Sequence, residues 1–172
     1  MTAFFFICHD DAKIRLMAII TDSCGCVQLF LNLLNILTTM RTYNDIPRPD
    51  YTPERITELK ADEIFVFGSN LAGMHGAGAA YVAFQKFGAV MGCGVGLRGQ
   101  SYAIPTMQGG VETIKPYVDG FIAFAKSRPD LFFYVTRIGC GIAGFRDKDI
   151  APLFKEAAGV ENICLPKSFI VK

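Results

Sequence analysis

Apolar positions in the second part of the chain alternate between two periods. Ile64-Phe-Val-Phe67 is an unbroken β-branched and aromatic run, which predicts a buried strand over 63–67. Ser101-Tyr-Ala-Ile-Pro105 predicts another, ended by its proline. Leu131-Phe-Phe-Tyr-Val-Thr136 is the strongest of the set, and Asn162-Ile-Cys-Leu165 is the last. Helical spacing separates them. A helix is predicted over 77–87, where the small Ala77, Ala79, Ala80 and Ala83 permit close packing and Gly88 ends it. Another runs over 114–127 with Ile114, Val118, Phe121, Ile122 and Ala125 on one face. A third covers 147–158 and presents Ile150, Leu153, Phe154 and Ala157. Upstream, Thr52 followed by Pro53 reads as an N-cap and first helical residue, predicting a short helix to Lys60. The alternation predicts an α/β domain, a three-layer α/β/α arrangement around a mostly parallel, mixed central sheet.

The pattern changes near residue 40. All eight prolines and 16 of the 17 glycines follow that point, whereas three of the six cysteines precede it. Residues 40–172 are therefore expected to form the α/β domain and residues 1–39 an N-terminal extension. Within the extension, the apolar run over 27–37 is interrupted by Asn32 and Asn35 and is short for a bilayer crossing. It reads as a packed or interfacial helix. The alternative is that Met40 is the initiator, which would make residues 1–39 a non-native start.

Composition narrows the chemistry. With 17 Lys+Arg against 16 Asp+Glu the formal net charge is +1, so no bulk field steers the chain to nucleic acid or to anionic lipid. Recognition of phosphate has to be local. Only His9 and His75 are available as imidazoles, and the six cysteines contain no CxxC pair. No zinc spacing can be assembled, so no metal is expected. The thiols read as reduced, in a cytoplasmic compartment.

Two glycine-rich loops stand out. The first, over 68–80, follows a predicted strand and opens a helix, which is where α/β sheets place ligands and where backbone N–H groups attract anions. Its candidate ligand-binding residues are Gly68, Ser69, Asn70, Gly76, Ala77 and Gly78. The second, Gly139-Cys140-Gly141-Ile142-Ala143-Gly144, also lies between a strand and a helix and matches G-x-G-x-x-G. No acid stands about twenty residues on, where a dinucleotide fold holds its ribose; Cys164 and Leu165 occupy that place. Phe145 follows the loop as a candidate stacking residue. His75 is a candidate acid or base, and Cys140, beside a helix start, has a site that favours a thiolate. Two N–H cradles meeting at one sheet edge suit a pyrophosphate.

Three segments together resemble a known group. Ile64-Phe-Val-Phe-Gly-Ser-Asn-Leu-Ala-Gly-x-His-Gly-Ala-Gly-Ala-Ala80, Gly94-Val-Gly-x-x-Gly-Gln-Ser-Tyr-Ala-Ile-Pro105 and Ile138-Gly-Cys-Gly-Ile-Ala-Gly-Phe145 are similar to an uncharacterised bacterial and phage family with a macro-domain-like fold. The resemblance covers residues 41–169 and extends more distantly to macro domains, which bind ADP-ribose. It implies that Asn70 faces the distal ribose, that Gly76 and Gly78 form a first diphosphate loop, that 139–144 form the second, and that Phe145 lies beside the ribose. It implies binding of ADP-ribose or a related nucleotide diphosphate and leaves open an ADP-ribosyl hydrolase activity, for which Asn70 and His75 are the candidate catalytic residues. The segment Arg55-Ile-Thr-Glu58 departs from the pattern, having no acid in register to read adenine. The paired glutamates of poly(ADP-ribose) glycohydrolases are absent too.

The expected partner is thus a small-molecule nucleotide ligand resembling ADP-ribose, with no cofactor, nucleic acid or membrane indicated. Two alternatives stay open: a Rossmann-type enzyme using NAD through 139–144, and a non-catalytic interaction module on the same fold.

Overall fold

The computed structural model describes residues 6–10, 13–17 and 41–170. The chain divides into two compact units, Met1–Met40 and Arg41–Lys172. In the first, β1 (Phe6–Asp10) and β2 (Lys13–Met17) form an antiparallel hairpin registered from Phe6 opposite Met17 to Asp10 opposite Lys13. The helix expected over 27–37 lies outside the described residues, as does Met40.

The second unit begins with a hairpin, β3 (Arg41–Tyr43) and β4 (Ile46–Arg48). Its two-residue turn has Asn44 at φ 51° and Asp45 at φ 60°, the left-handed pair such a turn requires and the residue types that tolerate it. Arg48 then enters the protein. Its buried guanidinium pairs with Asp62 and Glu63 and lies 4.5 Å from the centre of the Phe132 ring.

The helix expected over 52–60 does not form; the segment is irregular. Thr52, read as its cap, instead donates its N–H to the Leu165 carbonyl at 2.9 Å and its hydroxyl to the Cys164 carbonyl at 2.7 Å. Ile56 and Leu59 pack on the sheet from this irregular path. Tertiary hydrogen bonds and burial outweigh a local preference worth less than about 1 kcal/mol per residue.

The remaining elements are β5 (Glu63–Ser69), α1 (Gly78–Lys86), β6 (Gly96–Arg98), β7 (Ser101–Pro105), α2 (Val111–Ser127), β8 (Phe132–Val135), α3 (Asp147–Ile150) and β9 (Ile163–Cys164). Five strands form one sheet in the order β6-β7-β5-β8-β9. β6 is antiparallel to β7, and the other pairings are parallel. The domain is therefore α/β with a mixed sheet.

Alternation along β5 assigns the layers. Phe65 and Phe67 pack with Ala80, Ala83 and Phe87 around α1. Ile64 and Val66 join the larger cluster containing Ile114, Val118, Phe121 and Ile122 of α2. The two helices thus cover opposite faces of the sheet. The long helix expected over 147–158 is broken after one α-turn into 3₁₀ turns at Ala151–Phe154 and Glu156–Gly159. Pro152 has no N–H with which to continue the ladder, yet Ile150, Phe154 and Ala157 are still buried.

Candidate functional site

β5 is the point where the chain reverses its path across the sheet. The connection through α1 leads to β7 on one side, and the connection through α2 returns to β8 on the other. Loops leaving β5 and β8 diverge at such a point and open a crevice at the carboxyl ends of the strands. A cleft of about 420 Å³ lies there, lined by both glycine-rich loops and by Thr106, Thr136 and Arg137.

The first loop is braced from within. The Asn70 side chain donates to the Met74 carbonyl and accepts from the Met74 N–H, both at 3.0 Å. The Asn70 carbonyl accepts the Gly73 N–H at 3.0 Å. Gly94 makes this possible, because a Cβ there would lie 1.9 Å from the Asn70 carbonyl oxygen. The braced loop delivers the start of α1 to the cleft. Ala77, at the N-cap, has no side chain able to cap, and the first turn carries no acid. The N–H groups of Gly78, Ala79 and Ala80 have no partner inside the helix, and the helix dipole makes that end positive.

The second loop turns on itself. Gly144 N–H bonds the Gly141 carbonyl at 2.9 Å, and Phe145 N–H bonds the Gly139 carbonyl at 3.0 Å. Gly139 has φ +74°, and a Cβ there would press within 3.3 Å of Ile150 and Phe145. Among the described residues no acceptor takes the N–H of Gly141, Ile142 or Ala143, and all three residues line the cleft.

Of the residues expected in a site, the fold brings Gly68, Ser69, Asn70, Gly76, Ala77, Gly78, Gly139, Gly141, Ile142 and Ala143 to this one cleft. Cys140, Gly144, Phe145 and His75 are not part of its lining. Phe145 is half-buried and packs against the hydrophobic core beneath the loop. Cys140 also packs there, beside Asp147. Burial and then that carboxylate push its thiol up to about 12, which corrects the expectation of a favoured thiolate: desolvation and a neighbouring negative charge override the turn.

His75 is fully buried, its Nε2 3.0 Å from Ser69 Oγ and its ring edge-on to Phe67 at 5.1 Å. Its backbone N–H donates to Met91 Sδ at 3.3 Å. The imidazole therefore supports the loop from below instead of facing a ligand. Desolvation holds its pKa under the ordinary value.

Sequence reasoning missed Thr106, Met107, Thr136 and Arg137, which line the cleft from the ends of β7 and β8. Their signal was position, since each lies at or just past the end of a predicted strand. Among the described residues, Arg137 is the single charged one in the lining. Its side chain is 62% exposed and forms a two-point ion pair with Asp147 at 2.7 and 3.0 Å. It also borders a second cleft of about 760 Å³, reached by Thr136, Asp147, Glu54, Lys167 and Ser168. Among the described residues no group of three or more His, Cys, Asp or Glu is placed to hold a metal ion, and no helix is long and apolar enough to cross a membrane. Comparison with protein-family models, with curated proteins and with solved structures finds no match to this chain.

Proposed function

We propose that the cleft binds ADP-ribose or a related nucleotide diphosphate, on a macro-domain-like fold. The observation that carries this reading is the pair of donor arrays sharing one cleft. The uncapped start of α1 lies on one loop, and on the other lie the N–H groups of Gly141, Ile142 and Ala143, which have no acceptor among the described residues. Backbone donors fixed in advance bind an anion without the entropy cost of ordering long side chains. A volume of about 420 Å³ is in the range of small-molecule sites.

The proposal is binding rather than bond cleavage. Among the described residues, the polar side chains of the lining are Ser69, Asn70, Thr106, Thr136 and Arg137, a set that supplies hydrogen bonds and charge rather than a carboxylate, imidazole or thiol as general base. A Rossmann-type reading has less support. The G-x-G-x-x-G loop leads into a single α-turn, Asp147–Ile150, too short to bring a substantial dipole to a dinucleotide.

Calorimetric titration of the full chain with ADP-ribose, beside AMP and NAD, tests the proposal. Saturable binding of ADP-ribose in preference to AMP is expected. A folded protein silent toward ADP-ribose overturns it, and NAD-dependent turnover would favour the Rossmann reading.

A further inference from the structure

We infer that Arg137 is the residue that neutralises the ligand's diphosphate, held by Asp147 until the ligand exchanges places with that carboxylate. This rests on the proposed binding of a nucleotide diphosphate in the cleft. A diphosphate brings two negative charges into a site whose other polar groups are neutral, backbone N–H groups and the side chains of Ser69, Asn70, Thr106 and Thr136, and whose mouth carries the apolar Met74, Met107 and Ile142. Amide dipoles orient such a group, and a full opposite charge adds to the offset of its lost hydration. Among the described residues, Arg137 is the one cation in the wall.

Its present partner is replaceable. The Arg137–Asp147 pair is exposed, 62% at the arginine side chain and 27% at the aspartate, and pairs in that setting contribute only about 0–1 kcal/mol. A phosphate offers the guanidinium fork the same two-point geometry, with the fixed N–H groups of the two loops acting on the same anion. Asp147 is not stranded by the exchange, because its side chain is 27% exposed. Solvent in the second cleft reaches it as well.

Exchange makes an unusual prediction, since weakening one ion pair improves binding. Arg137→Gln in the full chain should lower ADP-ribose affinity about tenfold or more, the effect of losing one charge-assisted contact. It should also flatten the decline of affinity with salt. Arg137→Lys, which keeps the charge without the fork, should fall between. Asp147→Asn should raise affinity severalfold at low salt, and inorganic pyrophosphate should repeat the ranking. Equal melting temperatures for the four proteins show that the fold is intact.

Unchanged binding in Arg137→Gln and Asp147→Asn, with wild-type ADP-ribose binding present, overturns the exchange and leaves the cleft reading standing. Loss of affinity in Asp147→Asn matching that in Arg137→Gln also overturns it, by showing that the intact pair organises the site. A folded wild type that binds neither ADP-ribose nor pyrophosphate removes both.

Discussion

The Nε2 of His75 lies 3.0 Å from Ser69 Oγ, and no part of the histidine reaches solvent. Its Nδ1 is buried without a hydrogen-bond partner among the described residues. The neutral ring with its proton on Nε2 donates to Ser69, whose hydroxyl is 3.3 Å from the Asn70 carbonyl, and leaves only a lone pair unmatched. Protonating Nδ1 would bury a charge with no acceptor.

A pH signature follows. His75 has a folded-state pKa below the unfolded value near 6.5. The unfolded chain therefore binds more protons as pH falls through about 6.5 and below, and stability declines there until the folded pKa is passed. Above about pH 7 this contribution is complete. Urea unfolding of wild type and His75→Gln from about pH 8 to about pH 5 should give a stability difference that favours wild type most at the alkaline end. A difference independent of pH would contradict the buried neutral ring.

The glycines of the two loops should separate into two kinds. A Cβ at Gly76 or Gly141 meets nothing within 4 Å, and neither residue needs a positive φ. Gly76→Glu and Gly141→Glu should each abolish ADP-ribose binding by placing a carboxylate against the donors, with melting temperatures close to wild type. Gly139→Ala has the opposite profile. Its positive φ and the 3.3 Å approach to Ile150 and Phe145 should cost roughly 1–2 kcal/mol of stability or more. Calorimetric titration combined with thermal melts distinguishes the two outcomes.

Cys140 should be inert. With its thiol pushed up to about 12, almost no thiolate exists near neutral pH, and the thiolate is the reactive form. Site-resolved mass spectrometry after brief iodoacetamide treatment of native protein at mildly alkaline pH should find Cys140 unmodified. Asp147→Asn, which removes one of the two main causes of that shift, should increase its labelling. Rapid modification of Cys140 in the wild type would refute the assignment.

At the opposite end of β5, Arg48 is wholly buried against Glu63, which also accepts the Tyr134 hydroxyl at 3.3 Å and the Lys60 N–H at 2.8 Å. Arg48→Ala strands that carboxylate and should cost about 3–5 kcal/mol. Arg48→Met combined with Glu63→Gln removes both charges and should recover much of the loss. Denaturant midpoints of the two variants check the ranking.

The sheet strands were legible in the chain because their information is local. Glu63–Ser69 and Phe132–Val135 are short runs of β-branched and aromatic residues, and nothing else compact accommodates such runs unless both faces are covered. The meeting of two glycine-rich loops was legible for a related reason, since parallel strands joined by helices place their carboxyl ends on one edge. The one-turn α3 was foreseeable at Pro152, where the hydrophobic spacing obscured the missing donor. The loss of the 52–60 helix was not, because Thr52 is claimed by Cys164 and Leu165, more than a hundred residues away.

The order of side chains alone therefore determined the α/β class, the location of most strands and the two loops that share a cleft. Tertiary structure decided which way the side chains beside those loops face. His75 turns inward because its ring contributes more when buried, while Phe145 and Cys140 are half-buried against the core. Arg137 remains at the cleft because its charge keeps it in water with Asp147. Those directions depend on burial against residues far away along the chain, and no local spacing encodes them.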